Sequence, residues 1–166
     1  MNPSHQNSTA RNFLRNLSVL HFGLFAGPTL FGILTYFLHL GHWKWDFEFK
    51  DDIFIYVIPL VSILGIVLSN NLFKKHLSQL SQKSTLKEKL IGYQTFSIIQ
   101  YAQLEGPALL SVVAAFVTNN LFYITIALIL ILYLVFLRPS KDKIITDLNL
   151  NAKHKSHFEM EDKFLE

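Results

Sequence analysis

The chain contains no cysteine among its 166 residues, which excludes disulfides and thiolate metal sites. Charge is also scarce. Asp, Glu, Lys and Arg together make up 16% of the residues, against 51% hydrophobic, whereas a soluble domain carries nearer a quarter charged. The shortage is concentrated in four stretches, at about 17–38, 53–73, 90–118 and 120–137. None of these contains an internal Lys or Arg, and Glu105 is their one acidic residue. The sequence has no Gly-rich phosphate loop, no nucleophile–base pair and no acidic cluster suited to metal-assisted hydrolysis, so nothing in it points to an enzyme. It also has no cleavable leader pattern. The first apolar run is too long for the core of a signal peptide, and no small-residue cleavage site follows it, so this segment is expected to remain as an anchor.

What is present is length and apolarity. Each of the four stretches can cross a hydrocarbon core of roughly 30 Å as a helix, and soluble core helices rarely lack a polar stripe. The expected fold is all-α, a four-helix transmembrane bundle spanning 17–138. A mobile arm at 1–16 precedes it and a tail at 139–166 with a short amphipathic helix follows it. Charge sets the orientation. Arg11 and Arg15 precede the first span, Lys74, Lys75, Lys83, Lys87 and Lys89 fill the middle loop, and Arg138, Lys141 and Lys143 follow the fourth. The loop between the first two spans carries Asp46, Glu48, Asp51 and Asp52. Lys and Arg mark the cytoplasmic side, so both termini and the middle loop are expected there, in a bacterial inner membrane. The basic loop follows from topology and gives no reason to invoke nucleic acid.

Local signals refine this picture. Thr85-Leu-Lys-Glu88 fits a capping box and predicts a third helix of some thirty residues from about Leu86. Asn119-Asn120 predicts a tight turn into the fourth span, which is almost wholly Leu, Ile, Val, Phe and Tyr and is expected to face lipid most. Pro139-Ser140 opens a short helix whose Ile144, Ile145 and Leu148 are expected to lie on the membrane surface. The mixed-charge residues Asn151 to Glu166 are expected to be mobile. Aromatic and charged residues alternate from Trp43 to Lys50, which places the aromatics on one face of an extended segment, as an interfacial belt or a ligand-binding lip.

Spans one and three echo one another. His21 to Gly32 aligns without gaps on Gln100 to Ser111. Gly23 with Gly27-Pro28 matches Ala102 with Gly106-Pro107, so both helices carry a small residue four positions before a Gly-Pro step. Small residues let helices approach closely in lipid. Each proline frees a carbonyl one turn earlier, and the alignment puts the two kinks at similar depth. Duplication of a helical hairpin and convergence both produce such an echo. Pro59 kinks the second span as well.

Glu105 is the candidate site, because an ionisable group near the midplane of a span is costly and marks function by default. No Lys or Arg within the spans can pair with it, so it is expected to be protonated, bonding a helix carbonyl such as the one freed by Pro107 or a hydroxyl from Thr29, Thr35, Tyr36, Tyr56 or Ser62. An ion-binding group would be Glu105 with Gln100, Tyr101, Gln103 and His21. The packing surfaces would be Gly23, Gly27, Pro28, Ala102, Gly106 and Pro107. The third span, offering polar groups to several neighbours, should be the most enclosed.

Lys87-Glu-Lys-Leu-Ile91, followed by Gln103-Leu-Glu-Gly-Pro-Ala-Leu-Leu-Ser-Val-Val-Ala-Ala-Phe116, resembles the carboxylate helix of the rotary-ATPase proteolipid, subunit c. The resemblance covers about thirty residues and implies that Glu105 carries a proton or a sodium ion. The Gly- and Ala-rich inner helix and the Arg-Gln-Pro loop of that family are absent here. The whole chain resembles small uncharacterised bacterial four-span membrane proteins, which implies no activity. His39 and His42 with Asp46 could form a weak metal site, whereas a haem needs a second His facing His21 from another span, and there is none. No cofactor is called for. The sequence therefore reads as a non-enzymatic accessory or scaffold component of a membrane assembly, with the bilayer and other membrane proteins or further copies as partners. Proton or cation translocation through Glu105 is the alternative.

Overall fold

The computed structural model describes residues 9–47 and 52–160. Residues 1–8 of the N-terminal arm, Glu48 to Asp51 of the first loop and residues 161–166 of the tail lie outside the described residues. The rest is helical: α1 (Ala10–Leu38), α2 (Phe54–Ser81), α3 (Leu86–Thr118), α4 (Leu121–Phe136), α5 (Lys141–Asp147) and α6 (Ala152–Glu159). The helices α1, α2 and α3 are long and apolar enough to cross a membrane. At 16 residues, or about 24 Å, α4 falls short alone and qualifies only together with α5, through an 83° bend. The architecture is that of a chain able to span a membrane three or four times.

The helix ends follow local chemistry. Thr85 Oγ1 accepts from Glu88 N at 3.2 Å and starts α3 where the capping box places it. Asn119 ends α3 in the left-handed region, φ 57°, which Asn tolerates. Asn120 Oδ1 then accepts from Phe122 N at 3.1 Å and starts α4. Ser140 and Asn151 cap α5 and α6 in the same way. Pro28, Pro59 and Pro107 all lie inside helices.

The long helix α3 is central. It packs against α2, α4 and α1, and α4 also touches both α1 and α2. Of its most apolar stretch 44% is buried, against 28% for α2 and 17% for α1, so the third span is the most enclosed of these three. The expectation for α4 is corrected. It buries Tyr123, Ala127, Leu130 and Leu134, about one residue per turn, because it fills the groove between its neighbours. The outermost helix is α1, which exposes Phe22, Leu30, Ile33, Leu34 and Phe37. The hairpin α3–α4 is packed along its length, whereas α1 and α2 lie against α3 and α4 rather than against each other. The packing therefore does not repeat with the sequence echo.

Both chain ends, expected as mobile segments, are helical and packed where they are described. Thr9 caps α1 through Asn12 N at 3.3 Å, and Ala10, Phe13 and Leu17 are buried. The tail folds back over this end of the bundle. Ile144, Leu148 and Phe158 are fully buried, in one apolar cluster with Leu86, Leu90 and Leu134. Phe158 meets Phe13 edge-on at 6.4 Å. The apolar side of α5 therefore packs on protein, not on a lipid surface, because the short α4 leaves a recess beneath it. Tyr93 ties α3 to α5 by donating to Asp147 Oδ2 at 2.9 Å.

At the opposite end the two loops are stitched together. Lys44 and Asn120 form an isolated parallel bridge, with Lys44 N donating to Asn119 O and Leu121 N to Lys44 O, both at 2.9 Å. Asn120 Nδ2 donates to Asp46 O at 2.7 Å, and Tyr123 donates to Asp52. Trp45 and Phe47 touch at 5.8 Å, as alternation predicts. Trp43 turns back instead to stack on Tyr36, donating to its carbonyl at 3.2 Å. The remainder of the alternating run, from Glu48 to Lys50, lies outside the described residues.

Candidate functional site

The Gly-Pro echo has a spatial counterpart. Gly27 faces Glu105, Gly32 faces Val112, and the His21 ring meets Tyr101 edge-on at 4.7 Å. These pairs differ by 78 to 80 positions, so α1 and α3 run parallel with the two Gly-Pro steps side by side. That register matches the sequence alignment.

Glu105 lies half-buried on the α1–α3 seam. Its Oε1 would be 3.6 Å from a Cβ built on Gly27, so the missing side chain makes room for the carboxyl. Among the described residues Glu105 has no hydrogen bond and no ion pair. The bond expected to the carbonyl freed by Pro107 is not made. That carbonyl, on Gln103, is covered by α2: a Cβ on Gly65 would lie 2.8 Å from Gln103 O and 3.0 Å from Pro107 Cγ. Gly65 brings the α2 backbone directly over the atom that proline leaves without a donor.

The other candidate residues do not gather around Glu105. His21 and Tyr101 are both buried, at the end of α4. His21 Nε2 is 2.8 Å from Leu134 O, and since a carbonyl only accepts, Nε2 carries the proton. Tyr101 donates to Leu137 O at 3.3 Å. Lys143 reaches the same carbonyl at 3.5 Å. Pro139 stops the helix, leaving orphan carbonyls that α1, α3 and α5 satisfy with side chains. His21 lies six residues before Gly27, about 9 Å along the axis, and so belongs to a different level from Glu105.

Gln100 and Gln103 turn toward α2. Gln100 Nε2 donates to Asn70 Oδ1 at 3.4 Å, and Asn70 exchanges bonds with Tyr133 at 2.7 and 2.9 Å. This polar knot joins α2, α3 and α4. Asn70 and Tyr133 were not singled out in the sequence, although Ser69-Asn70-Asn71 breaks an apolar run and signals it. Of the packing residues, Pro28 and Pro107 are buried, while Gly23, Ala102 and Gly106 are exposed. A Cβ on Gly23 or Gly106 would meet nothing within 4 Å.

At the outer end His39 is committed to Thr35 O at 3.0 Å and to the ring of Phe116. Among the described residues no group of three His, Cys, Asp or Glu could hold a metal ion. Comparison with known proteins adds no relative: no family model matches the chain, and neither the curated proteins nor the solved structures include one similar to it.

Proposed function

We propose that this chain is a non-enzymatic structural component of a bacterial inner-membrane assembly, with both termini in the cytoplasm. Its assembly surface is the α1–α3 face around Glu105. The observation that supports this reading is the open seam. Gly23, Ala102 and Gly106 are exposed, and Glu105 beside them has no partner among the described residues. A carboxyl at this depth is expensive to leave unbonded, and a helix from another membrane protein or a second copy can supply the donor. The small residues let that helix approach closely. Gly106→Leu tests this, because a Cβ added at Gly106 meets nothing of the chain within 4 Å. In-membrane crosslinking to partners should fall more for Gly106→Leu than for Glu105→Gln. The reverse ranking would count against the assembly role.

The second reading, proton or cation translocation through Glu105, is favoured by the same lateral position, since a carboxyl not locked to its own helices can exchange an ion across a seam. Proton flux in liposomes separates the two. Translocation requires flux in the wild type that Glu105→Gln abolishes, and equal flux from both proteins removes this reading.

A further inference from the structure

Away from Glu105, between α2 and α3 toward their basic ends, lies a second site. A cavity of about 190 Å³ is lined by Leu72, Phe73, His76, Phe96, Gln100 and Gln103 among others. Cavities near 150 Å³ walled by apolar side chains hold a benzene ring, so this one accommodates a single substituted aromatic ring. Its polar groups are specific. His76 Nδ1 is 2.7 Å from Leu72 O, which fixes the proton on Nδ1 and leaves Nε2 of the neutral ring as an acceptor. The imidazole is held by stacking on Phe96, with centroids 3.7 Å apart and planes 22° from parallel. Gln103 Oε1 is buried and has no hydrogen-bond partner. Gln100, 4% exposed, has its amide directed to Asn70. Among the described residues Gln103 Oε1 is thus a buried acceptor without a donor, and His76, which also lines the cavity, keeps Nε2 as its second ring nitrogen. His76 stacks on Phe96, and Gln103 lies seven residues further along α3, a backbone rise of about 10 Å.

We propose that this cavity binds the head of a membrane-dissolved quinol, a ring with two para hydroxyls and an apolar tail that leaves through the side facing lipid. One hydroxyl donates to Gln103 Oε1 and the other to His76 Nε2. Two hydrogen bonds of about 2.8 Å added to the width of one ring span a length of the same order as that rise. The oxidised quinone has only acceptor oxygens and cannot make either bond. A site built around hydrogen bonds to a ligand rejects the analogue that lacks the donors. The cavity is thus selective for the reduced form. The inference is independent of the role of Glu105.

The test uses the full chain in phosphatidylcholine nanodiscs, with decylhydroquinone, its oxidised quinone and its dimethyl ether as probes, and retention measured above that of empty nanodiscs. The expected result is saturable retention of the hydroquinone and at least tenfold weaker retention of the quinone and the ether. Gln103→Leu and His76→Phe should each weaken hydroquinone binding about tenfold while far-UV circular dichroism stays unchanged. Equal retention of the three probes would overturn the proposal, as would no saturable retention of the hydroquinone. Folded variants that bind as the wild type does would also overturn it. The comparison of probes on the wild type stands even if a variant fails to fold.

Discussion

The two sides of α3 treat the same sequence feature in opposite ways. On the α2 side, the carbonyl freed by Pro107 is sealed by the bare backbone of Gly65, with 2.8 Å between Gln103 O and the position a Cβ would take. On the α1 side, the matching Gly27-Pro28 step lies at the same depth but leaves its seam open. Glu105 rests over Gly27, and Gly23 and Gly106 meet nothing. One seam is closed by backbone contact within the chain. The other carries a carboxyl and small residues at the surface. A Gly-Pro step therefore marks where a helix is bent and small, and the neighbouring helix decides whether that spot becomes core or surface.

The largest test of this contrast is Gly65→Ala. The added methyl collides with backbone, which cannot turn aside as a side chain can. A loss of about 1–3 kcal/mol is expected, read by unfolding in mixed dodecylmaltoside–SDS micelles with circular dichroism at 222 nm. An unchanged midpoint would mean that the α2–α3 seam is looser than described. Next is Asn70→Leu, which breaks the knot with Gln100 and Tyr133 on the closed side. Interhelical hydrogen bonds in membranes average about 0.6 kcal/mol each, so a loss near 1 kcal/mol is expected in the same assay. The smallest effects belong to the open side. Gly27→Ala places a methyl at ordinary contact distance from Glu105 Oε1, and Glu105→Gln removes no bond within the described chain. Each should shift stability by less than about 0.5 kcal/mol. If Gly27→Ala costs as much as Gly65→Ala, the two seams are equivalent and the contrast fails.

Several elements were legible in the residues. The capping box at Thr85 and Glu88, the turn at Asn119-Asn120 and the short helix opened at Pro139-Ser140 each act through bonds to near neighbours in sequence. The parallel register of α1 and α3 was legible too, because aligned kinks tend to share a depth. The candidate site was only partly readable. Glu105 could be picked out as the lone acid in an apolar run, but its neighbours could not. The candidate ion-binding group joined it with His21, Tyr101 and the two Gln residues, whose side chains the fold directs to the end of α4 and to α2. Nothing local to Gly65 announced that it would be the closest approach between helices. Nor did Phe158, in a mixed-charge tail, announce that it would be fully buried against Phe13.

The sequence by itself determined that this protein is helical and suited to lipid, where its helices end, and which carboxyl is costly. Those properties depend on apolar run length, on capping side chains and on proline, all of which act over one or two turns. Only the tertiary structure decided which side of α3 is sealed, what covers the recess beneath α4, and where Gln103 and His76 leave their acceptors. Those outcomes depend on which backbones and side chains meet across helices, and interhelical contact is set by the joint fit of several surfaces rather than by any one stretch of chain.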